Sequence, residues 1–198
     1  MDTEKKFDPK KLDKLNDPSR LKHLNPDIIW EKAALKNPTV LVDVGAGTGF
    51  FALIFSKKMK NGKVYACDIS DEMLHWMNNN LPVESKGSVI PMKMEESAIP
   101  LPDHTADLVY MINLHHELEE PLKVIAESSR LLREGGKLLI IDWKKEETPG
   151  GPPVDIRVTE ETIESQMKQG GFSAVMKHHV LPHHNLLIGE KELTGKDA

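Results

Sequence analysis

The chain has 198 residues, enough to bury one sizeable core and too few for two full domains. Its formal net charge is −5 and no basic, aromatic-interleaved patch stands out, which argues against a nucleic-acid substrate, whose phosphates would need cationic contacts. The single cysteine, Cys67, excludes an internal disulfide, and no leader or apolar run of membrane-helix length is present, so a cytosolic protein without membrane contact is expected.

Residues 1–36 precede any strand pattern. Phe7-Asp8-Pro9 leads a Lys-rich helix, Asp17-Pro18-Ser19-Arg20-Leu21 starts another, and Asn25-Pro26-Asp27 a third. Arg20 is a fixed cation that can hold an anionic group, or it forms a surface salt bridge with Asp17 or Asp27. Thr39 to Val44 then reads as a buried strand running into Gly45, Gly47 and Gly49, with an apolar helix from Gly49 to Lys60. Gly45 and Gly47, with Ala46 between them, can adopt angles that a Cβ forbids and let a ligand lie against the main chain. A dinucleotide loop, G-x-G-x-x-G, would need glycine at position 50, where Phe50 stands. Asp43 would repel a phosphate but can hold a cationic amine. The loop therefore favours S-adenosylmethionine, which carries no phosphate and ends in a zwitterionic amino acid. Asp43, Gly45, Gly47 and Gly49 together resemble motif I of the class I methyltransferases, D-x-G-x-G-x-G.

Lys63 to Asp68 is a second β run, and its terminal acid stands where a carboxylate can accept both ribose hydroxyls. Asp68 is read as the ribose ligand, and its plain alternative is the acid ahead of a helix over Asp71 to Asn80. Ile69 and Met73 cover an adenine face or belong to the core. After a third run, Ser88 to Met92, comes Glu95-Glu96-Ser97-Ala98-Ile99-Pro100-Leu101-Pro102-Asp103. It is similar to the D-A-x-x-L-P-F-x-D stretch of the type 11 methyltransferases, which include the ubiquinone and menaquinone biosynthesis enzymes. That resemblance implies that Glu95 meets the adenine amino group and that Glu96 lends its backbone N–H to the ring. Two departures stand against it, Glu for Asp and Glu96 for Ala, and Glu95 can also be read as a solvated loop acid. The F-D-P…L-D-x-L-x-D-P-S-R-L arrangement near the start looks like that of small prokaryotic members and implies a helical lid over cofactor and substrate.

Thr105 to Asn113 forms the fourth strand and turns through Leu114-His115-His116-Glu117-Leu118 into a helix over Glu119 to Leu132. In an open α/β sheet the crevice lies at the carboxyl ends of strands, where strand order reverses. The resemblance puts the methionine part of the cofactor beside this turn, so Asn113 is expected to touch it. His115 or His116 could act as general base, oriented by Glu117 or Asp142, with helix capping or packing as the plain alternative. The fifth strand, Lys137 to Ile141, delivers Asp142, Trp143 and Lys144 to the same rim, where Trp143 shields the site, stacks on a planar acceptor or packs in the core. The paired histidines do not make a metal site, since neighbours on a strand point to opposite faces and no thiolate or fixed H-x-x-x-H spacing accompanies them.

A helix over Thr159 to Gly170 and a hairpin of Ser173 to Leu181 with Asn185 to Gly189 complete the pattern. The expected fold is α/β: a Rossmann-like, doubly wound, seven-stranded sheet, mostly parallel with an antiparallel last strand, preceded by a helical lid. The expected organisation is a lid segment at 1–36, an S-adenosylmethionine-binding methyltransferase domain at 37–191 and a flexible tail at 192–198. The function expected is in-line SN2 transfer of a methyl group to a small-molecule acceptor. A catalytically silent cofactor-binding module remains open, as does an NAD-dependent oxidoreductase if Phe50 is tolerated where helix meets sheet. An exposed last strand could pair two subunits into a homo-oligomer.

Overall fold

The computed structural model describes residues 12–172 and 174–191; the start of the Lys-rich lid helix, the strand start expected at Ser173 and the 192–198 tail lie outside them. A seven-stranded sheet runs in the order β3-β2-β1-β4-β5-β7-β6. Strand β1 (Val40–Val44) lies parallel to β2 (Lys63–Asp68) and to β4 (Ala106–Ile112). Beyond them, β3 (Val89–Lys93) pairs parallel with β2, and β5 (Leu132–Trp143) with β4. Strand β7 (His184–Glu190) runs antiparallel to both of its neighbours, β5 and β6 (Val175–Lys177), so it alone opposes the other six. Strand order reverses between β1 and β4, which places the crevice at their carboxyl ends.

Helices cover both faces. On one, α2 (Pro26–Ala33) and α3 (Phe50–Ser56) pack with Leu41, Tyr110, Ile141 and Ile188. On the other, α5 (Pro121–Leu131) and α6 (Glu160–Gln169) pack with Val42, Val109 and Ile140. A short α1 (Leu12–Leu15) and a 3₁₀ turn (Pro18–Lys22) lead in, and α4 (Asp71–Asn80) follows β2. Helix starts follow their caps. Asn25 accepts from the Asp27 and Ile28 amides, Ser70 from Met73, and Thr159 from Thr162. All seven β4 residues are buried, as expected of a strand covered on both faces. Among the described residues no helix is long and apolar enough to cross a membrane.

Three boundaries depart from the sequence reading. Helix α3 stops at Ser56 instead of Lys60, because the chain must reverse at Gly62, where a Cβ would come within 2.8 Å of the Thr39 carbonyl oxygen. Strand β5 starts at Leu132, not Lys137: the pairing shifts register between Ala106 and Leu108 and absorbs Gly135, whose φ is 71°, as an irregularity. Strand β6 keeps only three residues, with Met176 half exposed on the sheet edge.

At the far end of β4 from the crevice, buried Asp107 ties two strands. Its Oδ2 accepts from the Thr39 amide (2.7 Å), the Val40 amide (2.9 Å) and the Thr39 hydroxyl (3.2 Å), while Arg133 pairs with Oδ1. Asp107→Ala strands these donors and is expected to lower unfolding stability by about 2–4 kcal/mol in urea titration while leaving ligand affinity intact. A loss below about 0.5 kcal/mol would contradict this account of the clamp.

Candidate active site

The β1–α3 loop holds left-handed backbone at Gly45 (φ 68°), Gly47 (φ 57°) and Gly49 (φ 74°), which the sequence spacing anticipates. Two of these glycines also serve close approach. A Cβ on Gly45 would meet the Leu114 side chain at 2.7 Å, and one on Gly49 would meet Met77 Sδ at 3.0 Å. The loop is knitted to the end of β2: Ala46 N–H donates to the Cys67 carbonyl (2.9 Å) and Gly47 N–H to Asp68 Oδ2 (2.7 Å). Asp68 Oδ1 accepts from Ser70 N–H at 2.8 Å. Asp68 thus sits against the glycine loop and braces the approach to α4, the second of its sequence alternatives. Burial raises its pKa, against the lowering effect of the Ser70, Gly47 and Ile69 amides. With these amides engaged, the carboxylate still has acceptor capacity for a ligand hydroxyl. Beside it Ile69 is 43% exposed, whereas Met73 is buried.

Asp43 lies beneath the loop and is buried. Burial is the main cause that pushes its carboxyl up to about 8; the Tyr110 hydroxyl opposes this, the Asp68 charge adds to it and Arg20 opposes it. The Tyr110 hydroxyl lies against Asp43 without a hydrogen bond of good geometry. Arg20, in the 3₁₀ turn Pro18–Lys22, holds its guanidinium 5.2 Å from the Phe50 ring centroid and 5.1 Å from that of Phe51. It donates to the Leu15 carbonyl. The salt bridges considered for it do not form among the described residues: Asp27 pairs with Lys58, and Asp17 accepts from the Ser19 amide. Burial lowers the Arg20 guanidinium to about 10, and the Asp43 and Asp17 charges resist that shift.

At the end of β4, Asn113 has a φ of 60°, a strained angle for a residue with a Cβ, and its amide donates to the Ile141 carbonyl at 2.8 Å. Its Oδ1 is buried without a partner, as is the Thr48 hydroxyl in the glycine loop. Orphaned polar atoms of this kind are uncommon. In the next loop the Glu95 side chain is exposed and its backbone pairs with that of Ala98. The Glu96 carboxylate turns away to accept from the Glu119 (2.7 Å) and Glu120 (3.2 Å) amides at the start of α5. Arg130 fastens the same loop through the Ile99 and Leu101 carbonyls, Asp103 and Glu127. That clamp was not anticipated; Asp103 closing the motif was its only sequence signal.

The adjacent histidines diverge. His115 Nε2 contacts Gln166 Oε1 at 2.7 Å, and burial lowers its pKa. His116 Nδ1 stands 2.8 Å from Asp142 Oδ1, and its backbone N–H donates to Asp142 Oδ2, also at 2.8 Å. Glu117 approaches its Nε2 at 3.7 Å. Burial disfavours the His116 imidazolium, but the Asp142 hydrogen bond and charge, with Glu117, outweigh it and raise the pKa. A carboxylate that fixes an imidazole in this way also fixes its tautomer, the arrangement used in general-base catalysis. Trp143 is half-buried: a Cβ on Gly151 would lie 2.8 Å from its ring, the His184 ring centroid is 4.2 Å away and the Arg157 guanidinium 5.3 Å. Buried Arg157, which the sequence did not single out, donates to the carbonyls of Lys144, Glu146, Gly150 and Pro152 and to the Thr148 hydroxyl.

Residues 42–140 match the family model described as a methyltransferase domain. The crystal structure of a SAM dependent methyltransferase from Aquifex aeolicus is 36% identical, with a TM-score of 0.87 over 93% of this chain and 99% of that one. The ubiquinone/menaquinone biosynthesis C-methyltransferase UbiE of Laribacter hongkongensis is 30% identical over 65% of this chain and 54% of that protein. The malonyl-[acyl-carrier protein] O-methyltransferase of Methylococcus capsulatus is 26% identical over 70% of this chain and 53% of that protein. The chain thus spans about half the length of the curated relatives it matches.

Proposed function

Because the chain belongs to the type 11 family of class I methyltransferases, we propose that it binds S-adenosylmethionine at the β1–α3 loop and transfers the methyl group to a small-molecule acceptor. The observation that carries this reading is Asp68, a buried carboxylate anchored against a glycine loop whose Gly47 would meet only Leu15, at 3.4 Å, if it bore a Cβ. The residues present fit the cofactor. Asp68 would take the ribose hydroxyls, Ile69 with Met73 behind it the adenine face, and Glu95 and the Glu96 backbone the adenine edge. Gly45, Ala46, Gly47 and Gly49 form the main-chain cradle. Asp43 and the orphaned Asn113 oxygen would receive the amine, and Arg20 the carboxylate.

When bound, S-adenosylmethionine supplies a methyl group already activated on a sulfonium. The protein's part is to position the acceptor and exclude water. Proton removal from the acceptor falls to His116, whose ring is oriented by Asp142; His115 is less suited, because Gln166 engages its Nε2. Residues 1–36 act as the lid, 37–191 as the catalytic domain and 192–198 as a tail. A net charge of −5 favours a small acceptor over a polyanion.

Calorimetry tests the reading directly. S-Adenosylmethionine and S-adenosylhomocysteine are expected to bind and NAD is not; NAD binding with neither of the other two would overturn it. The pH dependence tests Asp43. To receive a cationic amine, Asp43 must lose the proton that burial holds on it up to about 8. Affinity should therefore rise with pH towards about 8, above which the ligand's own ammonium loses its proton, with proton release from Asp43 visible below about 8 as a buffer-dependent binding enthalpy. A flat profile with no proton release would remove Asp43 from the amine site.

A further inference from the structure

His184 opens β7 directly opposite Trp143 of β5. Paired residues on adjacent strands project to the same face, and alternate residues along a strand return to it. The register carries one face from Asp43 through Tyr110 and Leu139 to Ile188, and Trp143 and His184, an even step beyond, share it. His184 is 1% exposed, yet neither Nδ1 nor Nε2 has a hydrogen-bond partner. Among the described residues no other buried side chain leaves two polar atoms unpaired. Packing alone gives no reason to place an imidazole there, where a phenyl ring would leave nothing unsatisfied.

The ring is held in place. It lies against Trp143, which is itself wedged between Gly151 and Arg157. The preceding residue, His183, meets His23 of the N-terminal segment with ring centroids 4.7 Å apart and planes tilted by 51°, so that segment and the hairpin come together beside it. The charged or titratable groups around it are Asp142, His183, His23 and Arg20; burial dominates and brings its pKa down to about 3. A neutral imidazole offers one N–H donor and one bare acceptor nitrogen. A hydroxyl pairs with either nitrogen, whereas a carboxylate pairs only with the N–H and an ammonium only with the bare nitrogen.

We propose that His184 is the acceptor-recognition residue of this site: locked against Trp143 on the Asp43 face of the sheet, it binds a hydroxyl of an uncharged methyl acceptor through an unpartnered ring nitrogen. The inference rests on the methyl-transfer reading above. The hydroxyl is an anchor, and no proton changes hands at His184. Asp142 precedes Trp143 and projects to the other face, so the anchor and the His116–Asp142 pair stand on different sides of the end of β5.

The test uses the full chain labelled at its histidine nitrogens, both free and loaded with S-adenosylhomocysteine. Cyclohexanol and phenol are titrated in, and cyclohexanecarboxylate and cyclohexylamine in parallel, while the ring-nitrogen resonances are followed. His184 signals are identified by their loss in His184→Phe, or in His184→Asn if the first variant does not fold. The expected result is a saturable shift of the His184 nitrogens with both alcohols, at least about fivefold tighter than with the acid or the amine. No shift with either alcohol, or equal responses to the charged rings, overturns the inference. S-Adenosylhomocysteine affinity, measured on the same samples, separates the two failures. A silent His184 with cofactor binding intact sinks only the inference. Absent cofactor binding sinks the methyl-transfer reading, and the titration of the free protein still decides what His184 binds.

Discussion

Asp68→Ala is expected to weaken S-adenosylhomocysteine binding by at least about a hundredfold, because two charge-assisted hydrogen bonds of roughly 1.5–3 kcal/mol each would go with the carboxylate. The change also removes the acceptors of the Gly47 and Ser70 amides, so the loop loosens at the place where it must stay open. Asp68→Asn separates the two effects only in part: one oxygen remains, but the new NH₂ faces an amide that is itself a donor. Ser70→Ala is the cleaner control. It removes the α4 cap, costs about 1 kcal/mol of stability and should change affinity by no more than about twofold. Calorimetry well below each variant's melting temperature keeps binding distinct from folding. Unchanged affinity in Asp68→Ala would reduce Asp68 to a brace between loop and helix.

The second large effect is on folding. Asp142 is 1% exposed and accepts from the His116 amide, the His116 ring and the Trp143 amide, the last at 2.7 Å. Asp142→Ala leaves three buried donors unpaired and is expected to cost about 3–5 kcal/mol, roughly 10 °C in melting temperature for a domain of this size. The pH dependence has a definite sign. His116 has its pKa raised above the ordinary 6.5 in the folded state, so its contribution is full below about 6.5 and is lost as pH climbs through the raised value. The gap between wild type and variant should thus be widest in mild acid and narrow towards alkaline pH. A gap that widened with pH would contradict the His116–Asp142 pairing. In turnover, a base must be neutral, so the wild-type rate should climb with pH through the His116 pKa, and Asp142→Ala should move that limb to lower pH while reducing the maximum. A limb that does not move excludes His116 as the base.

How much could be read from residues alone depended on how local each signal was. The glycine loop was legible because alternate glycines behind a buried strand have few other uses, and all three adopt positive φ, with Asp68 accepting from the Gly47 amide. Strand β5 was read too short because Arg133-Glu134-Gly135-Gly136 has the composition of a turn; only pairing of Leu132 with Ala106 draws it into the sheet. Carboxylate orientation of a histidine was foreseen, but which histidine depended on Gln166 and Asp142, both distant in sequence. Asp107 and Arg157 gave almost no signal, since their partners are main-chain groups that any sequence would supply. The unpaired nitrogens of His184 were invisible for a different reason: an absent partner leaves no trace in a string of letters.

The insertion of β7 between β5 and β6 has a consequence for biosynthesis. Until His184–Glu190 has left the ribosome, β5 presents an unzipped edge bearing Leu138, Leu139, Ile140 and Ile141, and β6 has no strand to join. Edges of that kind recruit other chains. The folding protein therefore passes through a sticky interval that closes only when β7 docks between them, and a variant whose β7 pairs poorly should increase its demand for chaperones.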